Sequence, residues 1–229
     1  MQPSEFDRFA DEYHSVHAQN IRLSGEDPSY FARYKAREAA SVARGRLPVA
    51  RLLDFGTGVG NALPFLHEEF PGCRLTGVDV SRRSLEVARE RFGGIAELRE
   101  FDGRHIPVPD GEFGLALAAC VFHHIDAAEH VEKLAEIRRV LASGGWLLVY
   151  EHNPWNPLTR KAVRECPFDE NAQLMTAATL ATRARDAGFS AVTVRYRVFF
   201  PAALAWLRPL ERFMGWLPAG AQYCVICRK

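Results

Sequence analysis

Residues 54–60 read Asp54-Phe55-Gly56-Thr57-Gly58-Val59-Gly60, with glycine at every second position behind a short apolar run at 51–55. Glycine is needed where a backbone turns sharply or touches a ligand. A strand, a glycine turn and a helix in that order put the ligand at the carboxyl edge of a parallel sheet. Two further groups of residues carry reactive side chains. His123 and His124 follow an apolar stretch, 113–120, that ends at Cys120. One of two adjacent residues should face a cleft there, and an imidazole suits a general base near neutral pH. Glu151 could share that role. It opens the run Glu151-His152-Asn153-Pro154-Trp155-Asn156-Pro157-Leu158-Thr159-Arg160. This polar, proline-braced loop makes His152, Asn153, Asn156 and Arg160 candidates for contact with a substrate, and Arg160 suits a carboxylate or phosphate. The alternative is a loop whose prolines and asparagines only hold their own backbone.

These residues need a scaffold. Apolar or alternating stretches at 51–55, 74–79, 96–101, 113–120, 146–151, 190–199 and 222–228 read as strands. Helices are expected over 4–20, 28–44, 82–92 behind Ser81, 127–141, and from Thr176 to Gly188, with another after a cap at Asn61. Strands alternating with helices predict an α/β fold. It is a doubly wound, seven-stranded, mostly parallel sheet with an antiparallel last strand and helices on both faces. The 229 residues fit one domain: cap helices at 1–45, a core at 46–198, and an apolar insertion at 199–221.

The glycine spacing separates two adenosine cofactors. Dinucleotide enzymes want G-x-G-x-x-G, but that third position holds Asn61, and Gly60 comes early. Asp54, two residues before the first glycine, would repel a pyrophosphate. It would not repel the ammonium and sulfonium of S-adenosylmethionine.

Here the sequence resembles the class I S-adenosylmethionine-dependent methyltransferases, in particular the small bacterial type 11 group. The match is D-x-G-x-G-x-G at Asp54–Gly60, then Asp79 ending the second strand, 19 residues after Gly60. Further matches are Asp102 after the third strand, Ile106–Phe113, Val121-Phe122-His123-His124-Ile125, and Gly144-Gly145 before the fifth strand. Together they cover roughly 45–195 and the last strand. The family usually has Asp where this chain has Gly114. The resemblance implies S-adenosyl-L-methionine as cofactor, held by Asp54, Gly56, Thr57, Gly58, Gly60, Asp79, Val80, Asp102, Gly103 and Cys120. Asp79 would take the ribose hydroxyls and Asp102 the adenine amino group. The stretch Phe6–Tyr13 resembles the family's cap helix, so Tyr13 could close the pocket, with Tyr30, Phe31, Tyr34 and Lys35 along its acceptor side. The implied activity is in-line methyl transfer to a small-molecule acceptor, in which the protein mainly aligns nucleophile and methyl. A nicotinamide-dependent oxidoreductase and a non-catalytic methyltransferase-fold partner are the alternatives.

A net charge of +1 gives the chain no nucleic-acid footprint. The charge is uneven: residues 151–229 hold 11 Lys/Arg against 6 Asp/Glu, whereas residues 1–150 hold 18 against 22. The basic third favours an acidic acceptor or an anionic surface. Residues 199–221, FFPAALAWLRPLERFMGWLPAGA, are open to three readings: a membrane or lipid-acceptor contact, a dimer contact, or a lid packed on its own core. Oligomeric state cannot be read. No integral membrane span is expected, because apolar runs reach only about ten residues. Five cysteines and a polar N-terminus point to a cytoplasmic protein without a disulfide framework. Cys224 and Cys227 should face opposite sides of a strand. No acidic residue ends the fourth strand and no second Cys/His pair has zinc spacing, so no metal is expected.

Overall fold

The computed structural model describes Asp7, residues 24–45 and residues 49–229. The expected helix over 4–20 and Tyr13 lie outside the described residues. The chain runs α1 (Pro28–Ala43), β1 (Arg51–Phe55), α2 (Leu63–Glu69), β2 (Arg74–Asp79), α3 (Arg82–Phe92), β3 (Ala96–Glu100) and β4 (Phe113–Ala119). It continues through α4 (His130–Val140), β5 (Leu141–His152), α5 (Pro157–Glu165), α6 (Ala177–Asp186), β6 (Ser190–Arg197) and β7 (Gln222–Arg228). Short 3-10 turns lie at Phe122–His124, Pro167–Asp169 and Ala202–Phe213.

The seven strands form one sheet in the order β3-β2-β1-β4-β5-β7-β6. The four pairings from β3 to β5 are parallel, and β7 runs antiparallel between β5 and β6. Side-chain alternation sends Leu53, Phe55, Ala116, Ala118, Leu147, Val149, Val225 and Cys227 to one face, under Leu134 and Ile137 of α4 and Leu180 and Ala184 of α6. Leu52, Leu115, Leu117, Leu148, Tyr150 and Cys224 go to the other face, under Ala36 and Ala39 of α1 and Leu66 of α2. Strands buried on both faces explain the continuous apolar runs. Cys224 and Cys227 do face opposite sides.

Local signals account for most helix ends. Ser81 Oγ accepts from the N–H of Ser84, Thr176 Oγ1 from Thr179, and Asp27 from Ser29. Asn61 does not cap α2, whose N-cap is Ala62 without a side-chain bond. Instead Gly60 accepts from the Leu63 N–H, so the glycine turn runs straight into the helix. The break at Ser143-Gly144-Gly145 lies inside β5, where pairing with β4 slips between Phe113 and Leu115. Residues 199–221 are no buried lid: Trp206, Leu210, Phe213 and Trp216 are exposed, and Trp206 keeps 74% of its surface.

One buried ion pair fixes α1 on the sheet. Glu38 of α1 accepts from the Tyr150 hydroxyl at 2.6 Å and pairs with Arg197 of β6. Removing one partner of such a pair leaves a buried charge uncompensated. Glu38→Ala is expected to cost about 3 kcal/mol in urea unfolding. A loss below about 1 kcal/mol would show that the pair does not anchor α1.

Candidate functional site

The turn after β1 is shaped by hydrogen bonds to β2. The N–H groups of Gly56 and Thr57 both donate to Val78 O, at 2.9 and 3.0 Å. Gly56 has φ +71°, and a Cβ there would come within 2.5 Å of Val121 Cγ2. Gly58 has φ +53°, and no described residue lies within 4 Å of a Cβ built there, so among the described residues its turn is open at the sheet edge. Gly60 meets Phe92, Leu63 and Ala88 instead, so it serves packing between turn and helices.

Two buried carboxylates border this turn. Asp54 accepts from Thr57 Oγ1 at 2.7 Å. Burial pushes its carboxyl up to about 6, against the Thr57 bond. Asp79 accepts from the N–H of Gly58 and from that of Ser81, both at 2.8 Å. Burial raises it too, and those backbone bonds pull it back. Asp79 thereby holds the second glycine at the carboxyl end of β2. Ser81 also donates to Asp7 Oδ1 at 2.6 Å, which ties Asp7 to the same edge.

Beyond Asp79 lies a cavity of about 130 Å³, lined among others by Phe55, Val80, Phe101, Asp102, Gly103 and Val121. Phe101 and Val121 give it apolar surface on which an adenine ring can stack, and Asp102, Arg104, Glu129 and Lys133 give it a charged rim. Asp102 is exposed, and its Oδ1 accepts from the N–H of Arg104 and His105, which hold its carboxyl below the usual range. The cofactor set expected from sequence converges on this edge except for Cys120. Cys120, at φ +61°, belongs to a second group beyond β4.

In that group Lys35 of α1, buried at 7% exposure, brings Nζ to 3.4 Å from Cys120 Sγ. Lys35 and His152 bring the thiol down to about 7 against burial. Gln222 Nε2 donates to the same sulfur at 3.8 Å, while Gln222 Oε1 has no partner among the described residues. An orphaned buried acceptor at an open edge is a place for a ligand's donor.

Glu151 organises the adjoining edge. Its Oε1 accepts from the N–H of Val121 at 3.0 Å and of Phe122 at 2.7 Å. Its Oε2 takes His123 Nδ1–H at 2.5 Å. His123 Nε2 lies 3.3 Å from Asp169 Oδ1, and His124 Nε2 lies 3.4 Å from that same oxygen. Burial alone would lower both imidazoles. Glu151 and Asp169 override it for His123, which rises well above its usual value, whereas His124, beside that charge, falls to about 3. The sequence suggested an imidazole poised near neutrality, and neither His123 nor His124 sits there. Glu151, with three donors upon it, positions the turn after β4.

The asparagines hold their own backbone. Asn153 Nδ2 donates to the carbonyls of Pro218 and Gly220, and Oδ1 accepts from the Trp155 N–H. Asn156 caps α5 through the N–H groups of Leu158 and Thr159 and donates to Ala219 O. This corrects the expectation that either amide meets an acceptor: both are engaged by the 218–221 backbone. Arg160 stands near the start of α5. With Arg164 and Asp169 it lines a cavity of about 560 Å³ beside α5. Tyr34 is half-buried and packs against the α1 face of the core. The sequence reading missed Asp169 and Gln222. Asp169 sits in a Cys-Pro-Phe-Asp turn whose only local signal is its proline.

An open sheet with acids at the carboxyl ends of its first two strands and a cavity with apolar stacking surface beyond defines a Rossmann-like nucleoside-binding protein. Residues 53–149 match the family model described as a methyltransferase domain. Over those residues, which are less than half of the chain, it is similar to S-adenosylmethionine-dependent methyltransferases. It is 36% identical over 121 residues to a demethylmenaquinone methyltransferase of Thermus thermophilus, covering 52% of this chain and 54% of that protein. It is 34% identical over 170 residues to a trans-aconitate 2-methyltransferase of Methylobacterium nodulans, covering 70% and 61%. The chain spans about half the length of the first curated relatives it matches. A SAM-dependent methyltransferase structure from Archaeoglobus fulgidus superposes with a TM-score of 0.69 at 16% identity, over 95% of this chain and all of the other. Human N-acetylserotonin methyltransferase in complex with SAM gives 0.62 at 18% identity, over all of this chain and 56% of that one. These likenesses show the fold.

The clash at Gly56 can be measured. Gly56→Ala forces Cβ onto Val121 at a positive φ, so stability should fall by about 2 kcal/mol. Adding Val121→Ala should return part of the loss and leave the backbone cost. No recovery in the double variant would mean the turn is fixed by something other than this contact.

Proposed function

We propose that the chain transfers the methyl group of S-adenosyl-L-methionine to a small-molecule acceptor by in-line displacement. The single observation that carries the reading is the convergence of Asp54, Gly58 and Asp79 on one open edge beside the cavity at Phe101 and Val121. In this reading Asp79 and Val80 lie under the ribose, and Asp102 and Gly103 border the adenine. The ammonium faces the field of Asp54. The acceptor approaches over the ends of β4 and β5, where His123, His124, His152 and Asp169 meet. Glu151 acts there by aiming His123.

Arg160 and Arg164 beside Asp169 support an acceptor bearing a carboxylate or phosphate. A lipid-like acceptor is the second reading, supported by exposed Trp155, Trp206, Phe213 and Trp216 on segments that border the same edge. Among the described residues no helix is long and apolar enough to cross a membrane. A cytoplasmic setting belongs to the same proposal and is supported by five cysteines that remain thiols.

Calorimetry with S-adenosylhomocysteine and with NADH tests the reading. The chain should bind the first and not the second. Asp79→Ala, which also frees the Gly58 N–H, should weaken the first by tenfold or more. Unchanged affinity in a folded Asp79→Ala variant would remove Asp79 from the cofactor site.

The affinity should also depend on pH. Because burial holds Asp54 near 6, its carboxylate is largely ionised at pH 7 and largely protonated at pH 5. A cationic amine binds better to the ionised form, so affinity should fall by up to about tenfold from pH 7 to pH 5. In Asp54→Asn the Asp54-dependent part of that slope should vanish. A slope unaltered in the variant would assign it to another group.

A further inference from the structure

Three side chains from three separate segments meet at the ends of β4 and β5 and have the donor set of a metal centre. His123 comes from the 3-10 turn after β4, His152 from the last residue of β5, and Asp169 from the turn at Pro167–Asp169. One ligand atom from each lies within 4.8 Å of the other two. We propose that His123 Nε2, an imidazole nitrogen of His152 and Asp169 Oδ1 bind one divalent transition-metal ion of the zinc type. Nothing in the family resemblance assigns such a site.

The distances fit this chemistry. Two ligands bonded at 2.0–2.1 Å around a tetrahedral ion sit about 3.3–3.4 Å apart. His123 Nε2 and Asp169 Oδ1 are already 3.3 Å apart. His124 Nε2 stands 3.4 Å from the same oxygen, within reach of a further position. His152 is the ligand that must close in, and its ring centroid is 5.2 Å from that of His123.

The surroundings of His123 favour a metal as well. Metal-binding histidines commonly donate their second nitrogen to a carboxylate, which fixes the tautomer and aims the ring. His123 Nδ1–H donates to Glu151, so Nε2 is the atom presented to Asp169. Glu151 is itself held by two backbone N–H groups, and Gln173 N–H donates to His123 O at 2.8 Å, drawing the Asp169 loop onto the turn. Aim and spacing are therefore set by backbone. Charge agrees: Glu151 and Asp169 bring two negative charges to a place where His123 and Glu151 are each 1% exposed, and a dication with neutral imidazoles balances them. Two imidazoles and one carboxylate, with Asp169 on the wall of a large cavity, resemble an open site that leaves a position for water or substrate.

The expectation of no metal rested on the lack of an acid at the end of β4. The acid comes instead from 46 residues beyond His123.

The test uses the full chain, stripped with a chelator, and needs no acceptor. Zn(II) alone is titrated by calorimetry, and Co(II) is followed by its visible absorption. One equivalent of each should bind, with Co(II) giving the intense d–d bands of four- or five-fold coordination. His152→Ala and Asp169→Asn should each weaken Zn(II) by a hundredfold or more, and Glu151→Gln by about 10–100-fold through loss of ring orientation. His105→Ala, an exposed histidine, should change nothing. Circular dichroism checks folding of every variant. S-adenosylhomocysteine binding is measured separately, so failure of the methyltransferase reading and failure of the metal site give different results. A folded chain that takes up no stoichiometric Zn(II), or one whose Zn(II) affinity survives both His152→Ala and Asp169→Asn, overturns the proposal.

Discussion

A single buried carboxylate, Glu151, joins the two strand ends from which His123 and His152 emerge. β4 and β5 are parallel neighbours, so their carboxyl ends emerge side by side with peptide N–H groups that no longer have a strand partner. Glu151 takes two of these, from Val121 and Phe122, and sends its second oxygen to His123. Burying an ionised carboxylate is costly unless several donors satisfy it, and here there are three. That need fixes the 3-10 turn after β4, and the turn fixes the two imidazoles. Asp169 then closes on them from outside.

The cofactor edge solves the same problem with smaller pieces. Asp79 is buried at the end of β2 and is satisfied by the Gly58 and Ser81 N–H groups. One carboxylate therefore sets both the glycine turn of β1 and the start of α3. Asp54 is less well satisfied, with one hydroxyl donor, and its carboxyl rises to about 6 accordingly. Burial works against the charge on both carboxylates, and where they are ionised they give the edge a negative potential that disfavours a pyrophosphate.

What could be read from sequence was what is local. Strand, glycine turn and helix at 51–69 are a contiguous unit, and caps at Ser81 and Thr176 lie within three residues of their partners. Asp79 was legible because it ends a strand. Asn61 misled because a capping residue type does not cap when the preceding turn already feeds the helix. Asn153 and Asn156 misled for a different reason. Their partners, the carbonyls of residues 218–220, lie more than sixty positions away, and only strand order brings them near. Asp169 and Gln222 were dim for the same reason: each reaches the edge from an element whose own sequence carries no chemical signature. The readings of 199–221 separated only when its large side chains proved exposed.

The antiparallel last strand explains how so many distant segments reach one edge. A parallel strand must return its connection to the opposite end of the sheet. Because β7 runs the other way between β5 and β6, its first residue, Gln222, pairs with His152 at the carboxyl end of β5. The connection before it, residues 214–221, must then pass over the active edge. Asn153, Asn156 and Thr159 fasten it there through backbone carbonyls. The exposed tryptophans of 155 and 216 are carried on the two segments that this fastening joins. Reversal of one strand therefore sets three things together. It places Gln222 beside Cys120, it braces the loop behind His152, and it puts an apolar rim next to the place where the acceptor is proposed to enter.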